Sequence, residues 1–497
     1  MEGGTRRGFG ACLMAVLLSV VWPGLGHWSI NARFRRETMA ATGINFATSL
    51  VLMAIIAPLH NRTDLVSLIA DRTVFMVIFA CLAILAITRL YTALDAAWIA
   101  RPTSTAALKI ASGFATAVIV IVGVVPLAQA ARYVYDTDQF VEKLFGNNNA
   151  QTAEAGGLDG GTTVPSGTTA PGDSTGSTAP AWAGDRRINI LLLGGDSGAD
   201  RWSMRTDSMI VVSIDPETGD AATLSIPRNL PKIEFPPGSP LDLYFPDGFD
   251  QYSGLTNAVY TFVDLPANRH FTTGGDDAGA QAIKLAIAQF LGIKIQYYVL
   301  VDMAGFVDVV NAIGGIDVYV PKRVVAPENP DPNGKPLPEY FEVGMNHFDG
   351  DLALGYSRTR HDDSDYWRMA RQRCVIGAIV TAATSPKNLA LGLPGLLDAF
   401  GDAVHTDIPR DQLPTLAAMV DKFTQTGGLA NVRSLQLTPP AIDSSHWKSG
   451  VPPDPKETSY PQYIRDVVKN VLVPGSVDIL MPDLSKLEVE CAPPAGA

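Results

Sequence analysis

Apolar residues are concentrated near the start of the chain, in four continuous runs at about Phe9–Trp28, Ile44–Leu59, Val74–Leu94 and Ile110–Ala131. The last three are long enough, or nearly so, to cross a hydrocarbon core of about 30 Å, which takes about 20 residues. A secretory signal peptide would be a single short run followed by a cleavage site. The pattern therefore predicts that residues 1–145 form a membrane anchor with three or four apolar helices.

Positive charges in the short loops predict how this anchor is oriented, because short cytoplasmic loops are enriched in Lys and Arg. Three arginines lie at residues 33–36, between the first two runs, and Arg101 and Lys109 lie between the last two. Pro23-Gly24 interrupts the first run, which favours a re-entrant or interfacial hairpin followed by three crossings over four crossings. We expect everything after about residue 132 to be extracytoplasmic, on a bacterial cytoplasmic membrane.

The chain changes character twice after the anchor. Residues 146–185 are rich in Gly, Ser, Thr and Pro without an apolar period. Such a segment cannot bury enough surface to offset its ordering entropy, so it predicts a disordered linker. From residue 186 onward, short apolar runs bounded by Gly and Asp alternate with amphipathic segments.

These later patterns predict strands and helices in turn. The predicted strands are Ile188–Leu193, Asp207–Ile214, Ala221–Ile226, Tyr297–Val301, Ile316–Val320 and Val432–Leu437. The predicted helices are Asn257–Val263, Ala278–Leu291, Ala304–Ala312, Asp349–Tyr356, Leu413–Phe423, Pro461–Leu472 and a long helix from Ser364 or Asp365 to about Thr384. With at least one hairpin among them, they predict an α/β domain whose mixed sheet is sandwiched by helices. Residues 186–395 would form this domain, and 396–497 would complete or extend it.

Charge is distributed as unevenly as hydrophobicity. The whole chain has a net charge of −12, from 50 acidic and 38 basic residues. Residues 1–145 hold 12 Lys/Arg and 8 Asp/Glu, net +4, whereas the remainder holds 26 and 42, net −16. A chain this acidic lacks the basic face of a general nucleic-acid-binding protein, so we expect no nucleic-acid partner.

The four cysteines exclude one kind of site and leave one question open. None forms a CxxC pair, which excludes a zinc ribbon or a thioredoxin-type centre. Cys12 and Cys81 lie in apolar runs and are expected to pack there. Cys374 and Cys491 form one disulfide if their domain is extracytoplasmic, and two free thiols are an equally good interpretation.

Five arginines within 16 residues form a basic exception in the acidic domain. Arg358 and Arg360 are two apart on a segment expected to be extended, so they would point to the same side. Arg368 shares a helix face with Arg371 or Gln372. Guanidinium groups match phosphate oxygens, and two converging pairs beside a helix N-terminus suit a diphosphate.

An equally simple interpretation of this stretch is a solvated salt-bridge network. Aspartates at residues 362, 363 and 365 lie among the arginines and could neutralise them. The sequence of this stretch alone does not decide between the two interpretations.

A second group of polar residues lies at the ends of predicted strands. Asp196 follows the Gly-Gly that ends the first strand, Asp207 begins the second, and Arg228 leaves the third. Two carboxylates at one edge of a sheet can hold Mg²⁺, which completes its coordination with water and phosphate. Arg205 would add a phosphate contact. The chain has no G-x-S-x-G, HExxH or P-loop motif.

Taken together and in order, these elements resemble the LytR-CpsA-Psr (LCP) family of bacterial cell-envelope proteins over roughly residues 186–385. The matching segments are Ile190-Leu-Leu-Leu-Gly-Gly-Asp196, Arg205-Thr-Asp207-Ser, Ile226-Pro-Arg228, Val301-Asp302 through Gly305-Phe306 to Gly314-Gly315-Ile-Asp-Val, and Arg358-Thr-Arg360 through Arg368 to Arg371-Gln372. The family is membrane-anchored with an external catalytic domain, which agrees with the anchor and linker.

The resemblance implies an activity and roles for individual residues. Family members transfer a glycopolymer, as its glycosyl phosphate, from a polyprenyl-pyrophosphate carrier to peptidoglycan, with Mg²⁺ as cofactor. Carried over to this chain, the metal ligands would be Asp196 and Asp207. The phosphate-binding residues would be Arg205, Arg228, Arg358 and Arg360, assisted by Arg368 and Gln372. The lipid tail would lie in an apolar groove between the sheet and the helices, with candidate lining residues from the predicted helix Ala278–Leu291 and strand Tyr297–Val301.

This sequence departs from the family pattern in its anchor, where three or four apolar runs replace the more usual single one, and at three places in the external domain. Asn229 stands where an Asp usually follows Pro-Arg, Leu255-Thr256 replace the usual Lys before Asn257, and residues 231–277 form an unusually long link. Two other functions stay open: a non-catalytic polyprenyl-phosphate-binding envelope regulator, and a hydrolase that passes the phosphoryl group to water.

Overall fold

A computed structural model describes most of the chain. The described residues are 8–31, 36–59, 62–103, 105–145, 186–196, 204–272, 277–327, 336–361, 365–383, 385, 404–437, 460–473, 485–486 and 491–493. The chain divides into two units, Met1–Glu142 and Lys143–Ala497. The predicted linker lies outside the described residues, so the prediction of disorder there stays a prediction.

The N-terminal unit is helical, as its apolar runs predict. Its helices are α1 (Phe9–Val21), α2 (Leu25–Ser29), α3 (Arg36–Ile56), α4 (Arg62–Ala70), α5 (Arg72–Ala100) and α6 (Ala106–Phe145), the last of which ends just inside the second unit. Three of them, α3, α5 and α6, are long and apolar enough to cross a membrane. They correspond to the second, third and fourth apolar runs.

The first apolar run is broken where Pro23-Gly24 predicts it. Helix α1 ends at Val21, and α2 begins after Gly24, whose φ of 93° favours glycine. The short helix then folds back against α1, because a Cβ on Gly26 would lie 1.9 Å from the carbonyl oxygen of Ala15. This geometry matches the predicted hairpin.

One acidic side chain lies inside the long apolar helix α5. Helix α5 continues six residues beyond the predicted run and so includes Asp95. The Asp95 carboxylate lies 2.9 Å from Nε2 of His27 and accepts a hydrogen bond from Thr38 at 3.0 Å. It therefore joins α2, α3 and α5 within this unit.

The second unit is built on a mixed sheet, which confirms the predicted α/β class. Seven strands pair in the order β11-β10-β3-β2-β1-β4-β9, with both parallel and antiparallel neighbours. These strands are β1 (Ile188–Asp196), β2 (Arg205–Ile214), β3 (Ala221–Ser225), β4 (Tyr297–Asp302), β9 (Val404–Thr406), β10 (Arg433–Gln436) and β11 (Ser485–Lys486).

Helices cover both faces of this sheet. The helices of the unit are α7 (Pro240–Tyr244), α8 (Asn257–Asp264), α9 (Ala278–Leu291), α10 (Met303–Ala312), α11 (Gly350–Arg358), α12 (Asp365–Ala383), α13 (Leu413–Gln425) and α14 (Tyr460–Leu472). Because side chains alternate along a strand, Leu191 and Leu193 face the core formed with α8, α9 and α14, whereas Ile188 and Ile190 pack towards α13. The central strand thus supports two apolar layers.

The predicted strand Ile316–Val320 forms, but outside the main sheet. It is β5, and it pairs antiparallel with β8 (Gly344–Phe348). A second small ladder joins β6 (Val324–Val325) to β7 (Tyr340–Phe341). Both ladders pack with α10, α11 and α12 around their own apolar cluster, so the arginine-rich segment rests on a separate small core.

The C-terminal residues contribute to the main sheet through β9, β10 and β11. Arg433 of β10 donates to Asp220 at 2.7 and 2.6 Å, and Arg187 donates to the same carboxylate at 2.8 Å. Cys374 of α12 forms a disulfide with Cys491. This pairing settles the question that the sequence left open.

Candidate functional site

A β-bulge at the end of the β1–β2 hairpin presents Asp207. Gly194 pairs with Ser208 and Gly195 with Thr206, so Asp207 is the extra residue of the ladder. Bulges re-aim a side chain and recur next to active sites. Gly194 and Gly195 allow neighbouring atoms to approach the backbone closely at the bulge, since a Cβ on Gly195 would lie 2.1 Å from the Met204 sulfur.

The Asp207 carboxylate is held by two side chains. Nη1 of Arg228 lies 2.8 Å from its Oδ1, and Nδ2 of Asn257 donates to the same oxygen at 3.1 Å. Burial raises the pKa of Asp207, but the charge and hydrogen bond of Arg228, the hydrogen bond of Asn257 and the charge of Arg368 outweigh it. The net pKa lies below the ordinary value, so Asp207 is a carboxylate at neutral pH.

Asn257 is the site residue whose role the sequence did not reveal. It lies at the start of α8 and is buried, and an Asn there is ordinarily interpreted as a helix cap. Its amide instead contacts an aspartate 50 residues earlier in the chain. The available signal was its position in the family pattern, directly after the atypical Leu255-Thr256.

The environment of Arg368 and Arg371 differs from the one that the phosphate-binding hypothesis predicts. Both are buried, with exposed fractions of 4% and 6%. Arg368 donates to the backbone carbonyl of Asp207 at 2.9 Å, and Arg371 donates to the carbonyls of Tyr356, at 3.1 Å, and Thr359. Both guanidinium groups donate to main-chain oxygens, so they position the bulge and the end of α11.

Gln372 accompanies them on α12. Its Nε2 lies 3.5 Å from the carbonyl oxygen of Ser357, a long contact, and its side chain also lines a narrow crevice beside Asp207 and Met369. It is thus the one member of the predicted α12 group that borders both the crevice and the end of α11.

The segment Ser357–Arg360 is not wholly extended, which corrects one prediction. Helix α11 continues through Arg358, because α12 side chains bind its last carbonyl groups, and cations are favourable at a helix C-terminus. Only after Arg358 does the chain become extended, at Thr359. Arg358 and Arg360 are nevertheless both exposed, with the buried Thr359 between them.

The alternative to phosphate binding is a solvated salt-bridge network between these arginines and nearby aspartates. Residues 362–364 and the Asp365 side chain lie outside the described part, as does the predicted helix cap at Ser364. That alternative stays a hypothesis.

The other two predicted site residues lie at the same end of the hairpin as Asp207. Asp196, which is buried, is the backbone partner of Arg205 across the β1–β2 ladder, and Arg205 is exposed. The hairpin therefore brings two carboxylates and one exposed guanidinium to one edge of the sheet.

The lipid groove expected beside α9 is filled in this structure. Side chains of α14, including Ile464 and Val468, share the core with α9 and β4. Arg465 of α14 also donates to the carbonyl oxygen of Gln289 at 2.7 Å. The apolar surface predicted to hold a lipid tail is instead covered by this C-terminal helix.

The site as a whole lies at one edge of an α/β domain, where exposed guanidinium groups accompany a stabilised carboxylate. The sequence profile of the LytR_cpsA_psr family matches residues 166–447, more than half of the chain. The chain therefore belongs to the LytR_cpsA_psr family.

Two curated relatives carry an activity in their names. The polyisoprenyl-teichoic acid–peptidoglycan teichoic acid transferase TagU of Bacillus cereus is 30% identical over 243 residues, 48% of this chain and 67% of that protein. The enzyme of the same activity named TagV, from Bacillus subtilis, is 32% identical over 240 residues, 48% of this chain and 54% of that protein. The match thus spans between about half and two thirds of these relatives.

Solved structures show similarity over a comparable part of the chain. The crystal structure of B. subtilis TagV is 25% identical, with a TM-score of 0.40, and the match covers 58% of this chain and 97% of that one. A structure of TagT bound to LIIa-WTA is 23% identical, with a TM-score of 0.38, and the match covers 58% and 92%.

The Arg228–Asp207 pair gives a pH prediction. Arg228→Gln removes the charge that keeps the Asp207 pKa low, so that pKa should rise towards its ordinary value or above it. Because the predicted role of Asp207 needs its ionised form, the acidic limb of the kcat/KM profile should move to higher pH. The pH dependence of kcat/KM for cleavage of a polyprenyl-pyrophosphate-linked sugar measures this shift directly.

Arg269→Gln, which breaks an exposed pair with Asp264, is the control. An unmoved acidic limb in Arg228→Gln would contradict the assignment.

Proposed function

We propose that this protein transfers a glycopolymer, as its glycosyl phosphate, from a polyprenyl-pyrophosphate carrier to a hydroxyl group of peptidoglycan. The observation that carries the proposal is the Asp207 bulge, with Arg228 and Asn257 on its carboxylate and exposed Arg205 at the same edge. Family membership and the transferase names of TagU and TagV support the same activity.

The chemistry requires charge neutralisation more than covalent assistance. The acceptor oxygen would attack the phosphorus that carries the glycan, and the bond from that phosphorus to the bridging oxygen would break. Polyprenyl phosphate leaves, and the hydroxyl proton passes to solvent or a nearby base. Exposed Arg205, Arg358 and Arg360 are suited to bind the non-bridging oxygens and the leaving phosphate.

Mg²⁺ fits the carboxylates at this edge. Both described hydrogen-bond donors to the Asp207 carboxylate contact Oδ1, and Oδ2 accepts none from the described residues. The described residues contain no group of three or more His, Cys, Asp or Glu placed to hold a metal. Magnesium, however, commonly takes one or two carboxylates and completes its coordination with water and substrate phosphate. Asp196 and Asp207 would hold it, and when bound it would neutralise charge on the pyrophosphate.

The membrane arrangement is part of the proposal. Helices α3, α5 and α6 would cross the bacterial cytoplasmic membrane, with the catalytic domain on its outer side. The Cys374–Cys491 disulfide supports an extracytoplasmic location, because disulfides persist in oxidising compartments. That side of the membrane also holds the peptidoglycan acceptor.

A cleavage assay tests the proposal. The full chain in nanodiscs is incubated with a polyprenyl-pyrophosphate-linked oligosaccharide, with Mg²⁺ or with EDTA. We expect Mg²⁺-dependent release of polyprenyl phosphate, reduced about 100-fold or more by Arg358→Ala. Lys422→Ala, which removes an exposed cation on α13, should keep wild-type activity. Tight donor binding without cleavage would favour the binding regulator instead.

A further inference from the structure

The long link between Arg228 and Asn257 is a closed loop that begins and ends at the proposed site. Residues 231–255, here called the aromatic loop, begin just after Arg228 and end just before Asn257, the two residues that contact the Asp207 carboxylate. Its base is closed by backbone hydrogen bonds from Asn257 to Arg228 at 3.1 Å, Thr256 to Leu230 at 3.0 Å and Lys232 to Gly254 at 2.9 Å. Movement or ligand contact in this loop is thus linked directly to the site.

The aromatic loop has a core of its own. Phe235, Phe245 and Phe249 are buried, and the Phe245 ring lies 5.2 Å from Phe249 and 5.2 Å from Phe262 of α8. The core makes the loop a preorganised platform.

Two tyrosine rings lie on the outer side of that core. Tyr244 is 57% exposed and Tyr252 is 52% exposed. Tyr244 packs against Phe245 and Phe271 at ring distances of 4.8 and 4.9 Å, and Tyr252 lies 6.4 Å from Phe262. Each ring therefore contacts the aromatic core and is more than half exposed.

The charge of the loop indicates what these rings bind. It carries four acidic residues, Glu234, Asp242, Asp247 and Asp250, and one basic residue, Lys232. A net charge of −3 repels phosphate-rich polymer, anionic lipid head groups and the carboxylates of peptidoglycan. Uncharged sugar rings fit instead, because their C–H faces pack on aromatic rings and their hydroxyls donate to carboxylates.

The position of the two tyrosines relative to the site indicates that these sugars belong to the donor. Asn257 at the site and Phe262 beneath the tyrosines are five residues apart on α8, about 7.5 Å along the helix axis. On the basis of the proposed function, we propose that Tyr244 and Tyr252 bind uncharged sugar residues of the donor glycan beyond the first, while the pyrophosphate occupies the arginines.

The test compares two donors on the full chain in nanodiscs. One is a polyprenyl pyrophosphate carrying an uncharged trisaccharide, and the other carries a single sugar. Dissociation constants are measured in EDTA, and KM and kcat in Mg²⁺. For the double variant Tyr244→Ala/Tyr252→Ala we expect about tenfold weaker binding and higher KM with the trisaccharide, less than twofold change with the single sugar, and unchanged kcat. Tyr244→Phe/Tyr252→Phe keeps both rings and should resemble the wild type.

Leu243→Ala is the matched control, since Leu243 is 74% exposed on the same short helix but has no ring. It should leave both donors unaffected. An equal loss with both donors, or a loss from Leu243→Ala as large as from the tyrosine variant, would overturn the proposal in favour of a lipid contact. Trisaccharide-specific binding by a wild type that does not cleave would uphold the sugar surface and refute only the transferase activity.

Discussion

Asp207→Asn should lower kcat/KM for donor cleavage about 10³-fold without unfolding the protein. The substitution keeps the size of the side chain and its position in the bulge, but it removes the charge that binds Arg228 and would bind Mg²⁺. The loss of one preorganised electrostatic contact in an active site costs about 10²–10³ in rate, and here two roles are lost together. Initial rates of polyprenyl phosphate release, with thermal melts of both proteins, provide the measurement.

The matched control is Asp317→Asn on β5, whose carboxylate is exposed and pairs with His347. It should retain the wild-type rate. The catalytic assignment of Asp207 is wrong if Asp207→Asn retains more than a tenth of the activity. It is also wrong if the melting temperature of the variant falls so far that unfolding accounts for the lost rate.

Lys284→Met should destabilise the second unit by about 3–5 kcal/mol. Lys284 of α9 forms an ion pair with Asp407, and both side chains are fully buried. Asp407 also accepts hydrogen bonds from the backbone of Tyr298 at 2.7 Å and from Gln281 at 3.1 Å. Removal of the cation leaves a buried carboxylate whose charge is no longer compensated, which is among the most costly single changes. Denaturant unfolding of the full chain measures the loss.

A second variant separates loss of charge compensation from loss of packing. Lys284→Met combined with Asp407→Asn should recover most of the stability, because an amide oxygen still accepts from Tyr298. Lys422→Met on the exposed face of α13 should change stability by less than about 0.5 kcal/mol. A loss below 1 kcal/mol for Lys284→Met alone would show that the pair is not essential to the fold.

Local patterns were sufficient to predict most elements of the domain. The helix Ala278–Leu291 was predicted at its observed bounds from its apolar spacing and from Gly292, which ends it in the left-handed conformation. The hairpin of β2 and β3 followed from two apolar runs around a polar turn. Strand Ile316–Val320 was also predicted, but its membership of a separate sheet depends on pairing with residues 344–348, which its own sequence does not specify.

The site was predictable as a set of residues, but not as a set of roles. Spacing indicated Arg358 and Arg360, and both are exposed. Spacing alone gave Arg371 the same role, although it binds main-chain carbonyls of α11, because that contact depends on how two helices pack. The bulge at Asp207 and the contact from Asn257 are likewise tertiary, and so is the burial of Lys284, whose partner lies 123 residues away.

The central claim, transfer of a glycosyl phosphate to peptidoglycan, is tested most directly by the linkage in the product. The full chain in nanodiscs is given a polyprenyl-pyrophosphate-linked oligosaccharide, Mg²⁺ and peptidoglycan, and the products are analysed by mass spectrometry. We predict a phosphodiester between glycan and peptidoglycan, formed in equal amount to the released polyprenyl phosphate and absent with Asp207→Asn. Release of free glycosyl phosphate, with no phosphodiester on peptidoglycan, would contradict the account and identify a hydrolase.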